Sequence, residues 1–545
     1  MILKNVCYII IIAICAYSCN NKPIADTLVY NAKIYTADAN NNVAEAMVIL
    51  NKKIIAVGKK EVLLQEYNCN TKIDAEGKFI YPGFIDAHTH FLNYGLQLNT
   101  VNLLNIPNWD TAITLVNAFA NNKKNLKCIT GRGWDQNKWT NKNFPTNEKL
   151  NTIYINIPIL LTRIDGHAAI ANAKALELAG IKPFQKINGG VIETKNGKLT
   201  GLLIDNAVQL VENIMPKPTE ADKEIALLAA QKNCFAVGLT TVDECGLDYE
   251  DVAIIEKMHN NKSLKMKLYV MLSDAKKNYE YLIAKGKIST DNLTVNGFKL
   301  YGDGALGSRG ACLLQHYTDR PNETGFLLSA AAHFDSIANL LTQHNFQMCT
   351  HAIGDSANRV ILNIYAKYLK GKNDKRWRIE HAQVVTNDDI KYFGDYNIIP
   401  SVQPTHATSD MYWAADRLGA ERVKTAYSYK QLLLQNNWLP LGTDFPVEDI
   451  SPIKTFYAAT VRKDANNFPA NGFQMENALT RKEALFGITI WAAKSNFEET
   501  KKGSLEVGKF ADFVILDTDI MECKPENILA TKTIKTFVNG SLVWQ

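Results

Sequence analysis

Residues 78–95 read KFIYPGFIDAHTHFLNYG. An apolar run from Phe79 to Ile85 ends in two histidines two positions apart, His88 and His90. Side chains at that spacing share one face of a strand. The segment therefore delivers two imidazoles to the same place, and neutral imidazole is a good ligand for Zn²⁺ and similar cations. A single buried histidine is usually only a hydrogen-bonded core residue, so the pair needs partners from elsewhere in the chain.

Seven further segments have the same strand character: GLTTVDE, MKLYVML, GFKLYGDG, FQMCTHAIGD, RWRIEHAQ, IIPSVQP and LPLGTDF. Helical patterns separate most of them, for example over 220–237 and 330–344. Strands alternating with helices in this way predict an α/β fold, a (β/α)8 TIM-type barrel spanning residues 81–499. The stretch 91–219 is too long for a simple crossover and predicts an inserted subdomain after the first barrel strand. Residues 24–80 and 500–545 are rich in alternating strands, and Asn539-Gly540 is a strong hairpin signal. The two ends together predict one small β-sandwich domain.

In a barrel, catalytic residues gather at the C-terminal ends of the strands. His88 and His90 end the first strand, His351 the fifth, His381 the sixth and Asp444 the eighth, while Lys299 lies on the fourth just before Asp303. Four of the ten histidines at strand ends, with an aspartate to match, is far from a random scatter. His259, His316, His333 and His344 fall in helical or loop stretches and read as structural.

Bulk properties narrow the function further. The chain has 545 residues, 46% hydrophobic and 21% charged, with a formal net charge of only +5. No dense Lys/Arg cluster argues for nucleic acid. Ten cysteines without a CxxC exclude a zinc ribbon or disulfide scaffold. At the N-terminus, Lys4 precedes an apolar stretch of 12 residues, Val6 to Tyr17, too short for the roughly 20 that span a bilayer. The following AYSCNN resembles a bacterial lipoprotein signal over residues 1–19, with Cys19 as the lipidated residue, although Tyr17 stands where that signal has a small residue. This predicts an exported protein on the periplasmic or cell-surface side that meets the membrane only through a lipid anchor.

PGFIDAHTH, KLYGDGALGSR, THAIGD, RIEHAQ, LGTDFPVEDISP and GSLEVGKFADFVILD together resemble the amidohydrolase superfamily. More narrowly the chain is similar to the amidohydrolase-3 group of YtcJ-like and N-substituted formamide deformylase-like proteins. GRGWDQNKW, LLTRIDGHAAIANAKAL and SVQPTHATSD carry that narrower likeness. The resemblance implies two divalent ions, most simply Zn²⁺. His88, His90 and Asp444 would hold one, His351 and His381 the other, and Lys299 would bridge them as an N-carboxylated side chain. Asp444 would also shuttle a proton, with His167 and His406 as donors to the substrate carbonyl. Trp134, Asp303, Arg309 and Gln403 are assigned to substrate contact, and Trp139, Tyr412 and Trp413 to an aromatic pocket wall.

The implied reaction is hydrolysis of a non-peptide C–N bond in a small molecule: an amide, an N-substituted formamide or a cyclic amide. Activated water does not itself choose the bond, so an esterase, lactonase or phosphoester hydrolase is the alternative within enzymes. A non-catalytic binding protein would lack part of the ligand set, yet all six residues are present. Neither the substrate nor a homo-oligomeric state is legible in the sequence.

Overall fold

The structure, a computed structural model, describes residues 22–123 and 126–545. The expected signal over 1–19, with Cys19, lies outside the described residues. Among those described, no helix is long and apolar enough to cross a membrane.

Seven parallel strands run side by side in the order Ile399–Ser401, Arg378–His381, Gln347–Ala352, Leu293–Tyr301, Lys267–Ser273, Leu239–Leu247 and Phe84–Thr89. The eighth segment, expected as a regular strand, is instead a short irregular stretch that closes the ring through isolated bridges, Val402 to Leu441 and Thr89 to Phe445. Its main chain still bonds both neighbours: Ala87 N donates to Leu441 O, Asp444 N to His88 O, and Gly442 N to Val402 O. Two features keep the ladder from being continuous. Pro440 lacks an N–H, and Gly442 is pressed against the first strand so closely that a Cβ there would sit 2.6 Å from His88 N.

The crossover helices form where the sequence places them. Thr219 and Asp222 make a capping box that starts the helix Glu220–Ala236, and the helix Ala331–His344 ends at Asn345 in the left-handed region. Apolar faces of these helices join the barrel strands in one large core that includes Leu227, Leu268, Phe298 and Leu341.

Between the first and second barrel strands lies a six-stranded sheet in the order Gly190–Lys195, Lys198–Asp205, Ala168–Ala171, Ile159–Arg163, Ile129–Trp134 and Val101–Asn102. It has its own cores, one around Leu103, Trp134 and Leu161 and another around Ala169, Leu203 and Val211.

The chain ends build two further sheets. One has four strands, Lys53–Gly58, Ala46–Leu50, Ile24–Tyr30 and Asn68–Asp74. The other interleaves Ser541–Trp544, Thr533–Val538 and Phe513–Leu516 with Phe79–Pro82, Lys33–Tyr35 and Val43–Ala44. Val29, Met47 and Ile54 of the first pack with Ile34, Ile80, Phe513 and Phe537 of the second. The hairpin at Asn539 (φ 53°) and Gly540 (φ 73°) forms as the dipeptide predicts.

Candidate metal centre

His90, Lys299, His351, His381, Asp444, His167 and His406 line one cavity at the C-terminal mouth of the barrel. His88 is fully buried just behind it. Asp444 Oδ1 lies 3.5 Å from His88 Nε2 and 3.3 Å from His90 Nε2. The His381 ring stands 4.8 Å from His88 and 4.5 Å from His351, centroid to centroid. Lys299 Nζ is 3.1 Å from His88 Nε2. His381 (φ 73°), Ala382 (φ 42°) and Asp444 (φ 64°) adopt left-handed backbone that non-glycine residues rarely take. Such strain persists only where surrounding packing imposes it, and it gathers at functional sites.

The hydrogen bonds fix which ring nitrogen carries a lone pair. Glu380 Oε2 accepts from His88 Nδ1 at 2.5 Å, and Gln403 Oε1 accepts from His381 Nδ1 at 2.7 Å while its amide donates to Ser401 O. Both Nε2 atoms are then acceptors, that of His88 with Lys299 Nζ as a donor at 3.1 Å. Asp444 Oδ1 is itself buried without a hydrogen-bond partner. A lone pair facing a carboxylate oxygen with no proton between them is unfavourable unless a cation sits there. Ligand atoms of His88, His381 and Asp444 all fall within 4.8 Å of one another, a spacing one ion can bridge. The donor set fits a divalent cation such as zinc.

Electrostatics agree with that reading. Burial holds His88, His351 and His381 below the ordinary imidazole range, and takes His90 down to about 4. All four rings are neutral, as metal binding requires. Burial also opposes the charges of Asp444 and Glu380, but the surrounding histidines, with Arg378 beside Glu380, keep Asp444 well below the usual carboxylate range and Glu380 at about 2. Lys299 departs from expectation. Burial acts to discharge it, yet the fields of Cys245, Tyr301, Glu380 and Asp444 outweigh that and raise its pKa.

His167 stands apart from the ligand set. Its Nδ1 is 2.7 Å from Asp205 Oδ1, and although burial works to discharge it, the Asp205 bond and charge prevail and raise its pKa. The ring lies 5.1 Å from His351, centroid to centroid. His406 Nε2 is 3.7 Å from Asp444 Oδ2, buried and unpartnered.

None of the four expected substrate contacts lines the cavity, although Asp303 and Gln403 adjoin His351 and His381. Trp134 is fully buried in the insertion core, its indole donating to Leu161 O and its ring packed with Trp109, Trp139 and Phe144. Asp303 is buried and accepts from the amides of Cys312, Ile353 and Gly354, which ties two rim loops together. Arg309 pairs with Asp319 away from the cavity. Gln403 orients His381. Of the aromatic wall, Trp413 does line the cavity, Tyr412 lines an adjoining cleft, and Trp139 belongs to the insertion core. The cavity also contains residues the sequence reading missed, including Tyr301, Gln383, Asp410 and Glu448.

Comparison with known proteins places this geometry in context. The Amidohydrolase family matches residues 71–544. The chain is 32% identical over 539 residues to Protein LONG AFTER FAR-RED 3 of Arabidopsis thaliana, covering 96% of this chain and 92% of that one. It is 23% identical over 547 residues to an N-substituted formamide deformylase of Arthrobacter pascens, covering 95% and 98% respectively. A solved structure of an uncharacterized metal-dependent hydrolase from Pyrococcus horikoshii superposes with a TM-score of 0.74 at 26% identity, covering 92% of this chain and 99% of the other.

Proposed function

Because the chain belongs to the amidohydrolase family, we propose that this metal-dependent hydrolase cleaves a non-peptide C–N bond in a small molecule: an amide, an N-substituted formamide or a cyclic amide. The carrying observation is the convergence of His88 Nε2 and His90 Nε2 on the unpartnered Asp444 Oδ1 at the barrel mouth. The kinship with a formamide deformylase supports the choice of bond.

His88, His90 and Asp444 hold one divalent ion, and His351 and His381 a second, with zinc the metal that suits these donors. When bound, the ions acidify a water and polarise the scissile carbonyl. Lys299 lies between the two sets, and its Nζ is 3.1 Å from the same His88 Nε2 that the first ion needs. An ammonium and a metal ion would repel at that range, so Lys299 would have to release a proton to solvent for a loaded site. Its neutral amine could then add to carbon dioxide, losing a second proton, to give a carbamate anion suited to neighbouring cations.

Asp444 takes the proton of the attacking water and returns it to the leaving nitrogen. Its Oδ2 faces the cavity side occupied by His406, within reach of both tasks. His406 and His167 donate hydrogen bonds to the carbonyl oxygen as negative charge builds on it. The pattern around Cys19 supports an exported, lipid-anchored enzyme.

A hydrolysis screen over N-formyl amines, N-acyl amino acids, cyclic ureides, lactones and aryl esters tests the proposal. Amine release from at least one C–N substrate class is expected. Turnover confined to lactones or esters would overturn the bond assignment.

A further inference from the structure

The inserted sheet does more than cover the barrel. Asp205 ends its strand Lys198–Asp205, and His167 immediately precedes the neighbouring antiparallel strand Ala168–Ala171, so the two residues meet across the ladder. They are joined twice. Asp205 N donates to His167 O at 2.8 Å, and Asp205 Oδ1 receives His167 Nδ1 at 2.7 Å. The Asp205 side chain is fully buried, and its second oxygen, Oδ2, has no hydrogen-bond partner. Its backbone takes the uncommon values φ 52°, ψ −125°.

The barrel contributes the socket. Gly304 and Gly310, on the loop after the strand Leu293–Tyr301, approach the carboxylate so closely that a Cβ on either would lie 2.5 Å or 2.2 Å from an Asp205 oxygen. A buried carboxylate with a half-empty hydrogen-bond complement costs stability. Two glycines and a strained backbone are needed to seat it. The one thing it does is hold His167, whose remaining ring nitrogen, Nε2, is left for the cavity that the residue lines.

We propose that Asp205 is a positioning residue for the reaction: its carboxylate accepts from Nδ1–H of the doubly protonated His167 ring and so presents Nε2–H as the donor to the substrate oxygen. The inserted subdomain thereby supplies part of the chemical apparatus. This rests on the role given to His167 above.

The test is a double-mutant cycle on the metal-loaded full chain, comparing Asp205→Asn, His167→Gln and the pair, using whichever substrate the screen returns. Asp205→Asn is nearly isosteric and is expected to lower kcat about 10–100-fold, with KM and metal content little changed. In the His167→Gln background it should cause no further loss. Unchanged kcat in Asp205→Asn, or an equal loss in both backgrounds, would overturn the proposal. A second measurement needs neither substrate nor a folded Asp205 variant. In proton NMR of the wild type, one downfield imidazole N–H resonance should disappear in His167→Gln. Absence of that resonance would also overturn the proposal. If no C–N substrate is turned over, the bond assignment fails while the resonance still decides the role of Asp205.

Discussion

His88 and His167 are each gripped at Nδ1 by a buried carboxylate, Glu380 at 2.5 Å and Asp205 at 2.7 Å, yet they are driven in opposite directions. His88 is fully buried inside the barrel beside the Lys299 cation, and burial first, then that cation, hold its pKa down. His167 sits on the insertion near Asp205, Asp165 and Asp303, and it favours the protonated form. The same local device thus yields a metal ligand in one place and a hydrogen-bond donor in the other. Burial outweighs the carboxylate at His88, whereas at His167 the Asp205 bond and charge outweigh burial.

The largest effect is expected from removing the carboxylate that His88 faces. Asp444→Asn should lower kcat by about 10³-fold or more while metal content persists. Kinetics paired with metal analysis check this, and full activity would reassign the proton shuttle. Next in size is Trp134→Ala, which separates insertion core from substrate wall. Loss of about 3–5 kcal/mol of stability is expected, with KM unchanged in whatever molecules remain folded. A KM effect without destabilisation would restore Trp134 to the pocket.

Glu380→Gln sharpens the comparison directly. It should weaken metal affinity about 10–100-fold, measured by chelator competition, whereas Asp205→Asn should leave that affinity intact. Equal weakening in the two variants would erase the distinction between ligand and donor.

The smallest effect is in pH dependence. His90 falls to about 4 from an ordinary 6.5. Between those values the unfolded chain binds a proton that the folded chain refuses. Metal-free stability should therefore drop as pH falls through that window and level off below it. His167 contributes with the opposite sign: its stabilisation is complete below the unfolded value and is lost as pH rises through its raised pKa. Denaturant titrations of metal-stripped wild type and His167→Gln would separate the two, and a flat profile over the His90 window would contradict its neutrality.

Much of the barrel was legible because each strand carries its own apolar run and its polar end. The eighth segment was legible in position but not in form: Pro440 is visible in the sequence, but the close approach of the first strand to Gly442 is recorded in no local pattern. Glu380 was missed for a related reason. Strict alternation sends neighbours to opposite faces, but left-handed backbone at His381 and Ala382 ends the strand there and lets adjacent residues serve one site. Asp205 lies 38 positions from His167 and is joined to it only by strand pairing inside the insertion. Trp134 read as a substrate contact, yet it ends an inserted strand whose neighbours close over it. The ligand set stood out because its six members sit in strand-end motifs. The groups that orient them were visible only once the chain was folded.

The most direct test is elemental analysis of wild-type protein purified without chelator, with anomalous diffraction to locate what is found. About two divalent ions per chain are predicted, bound by His88, His90 and Asp444 and by His351 and His381. A metal content near zero, or ions bound away from these side chains, would contradict the account.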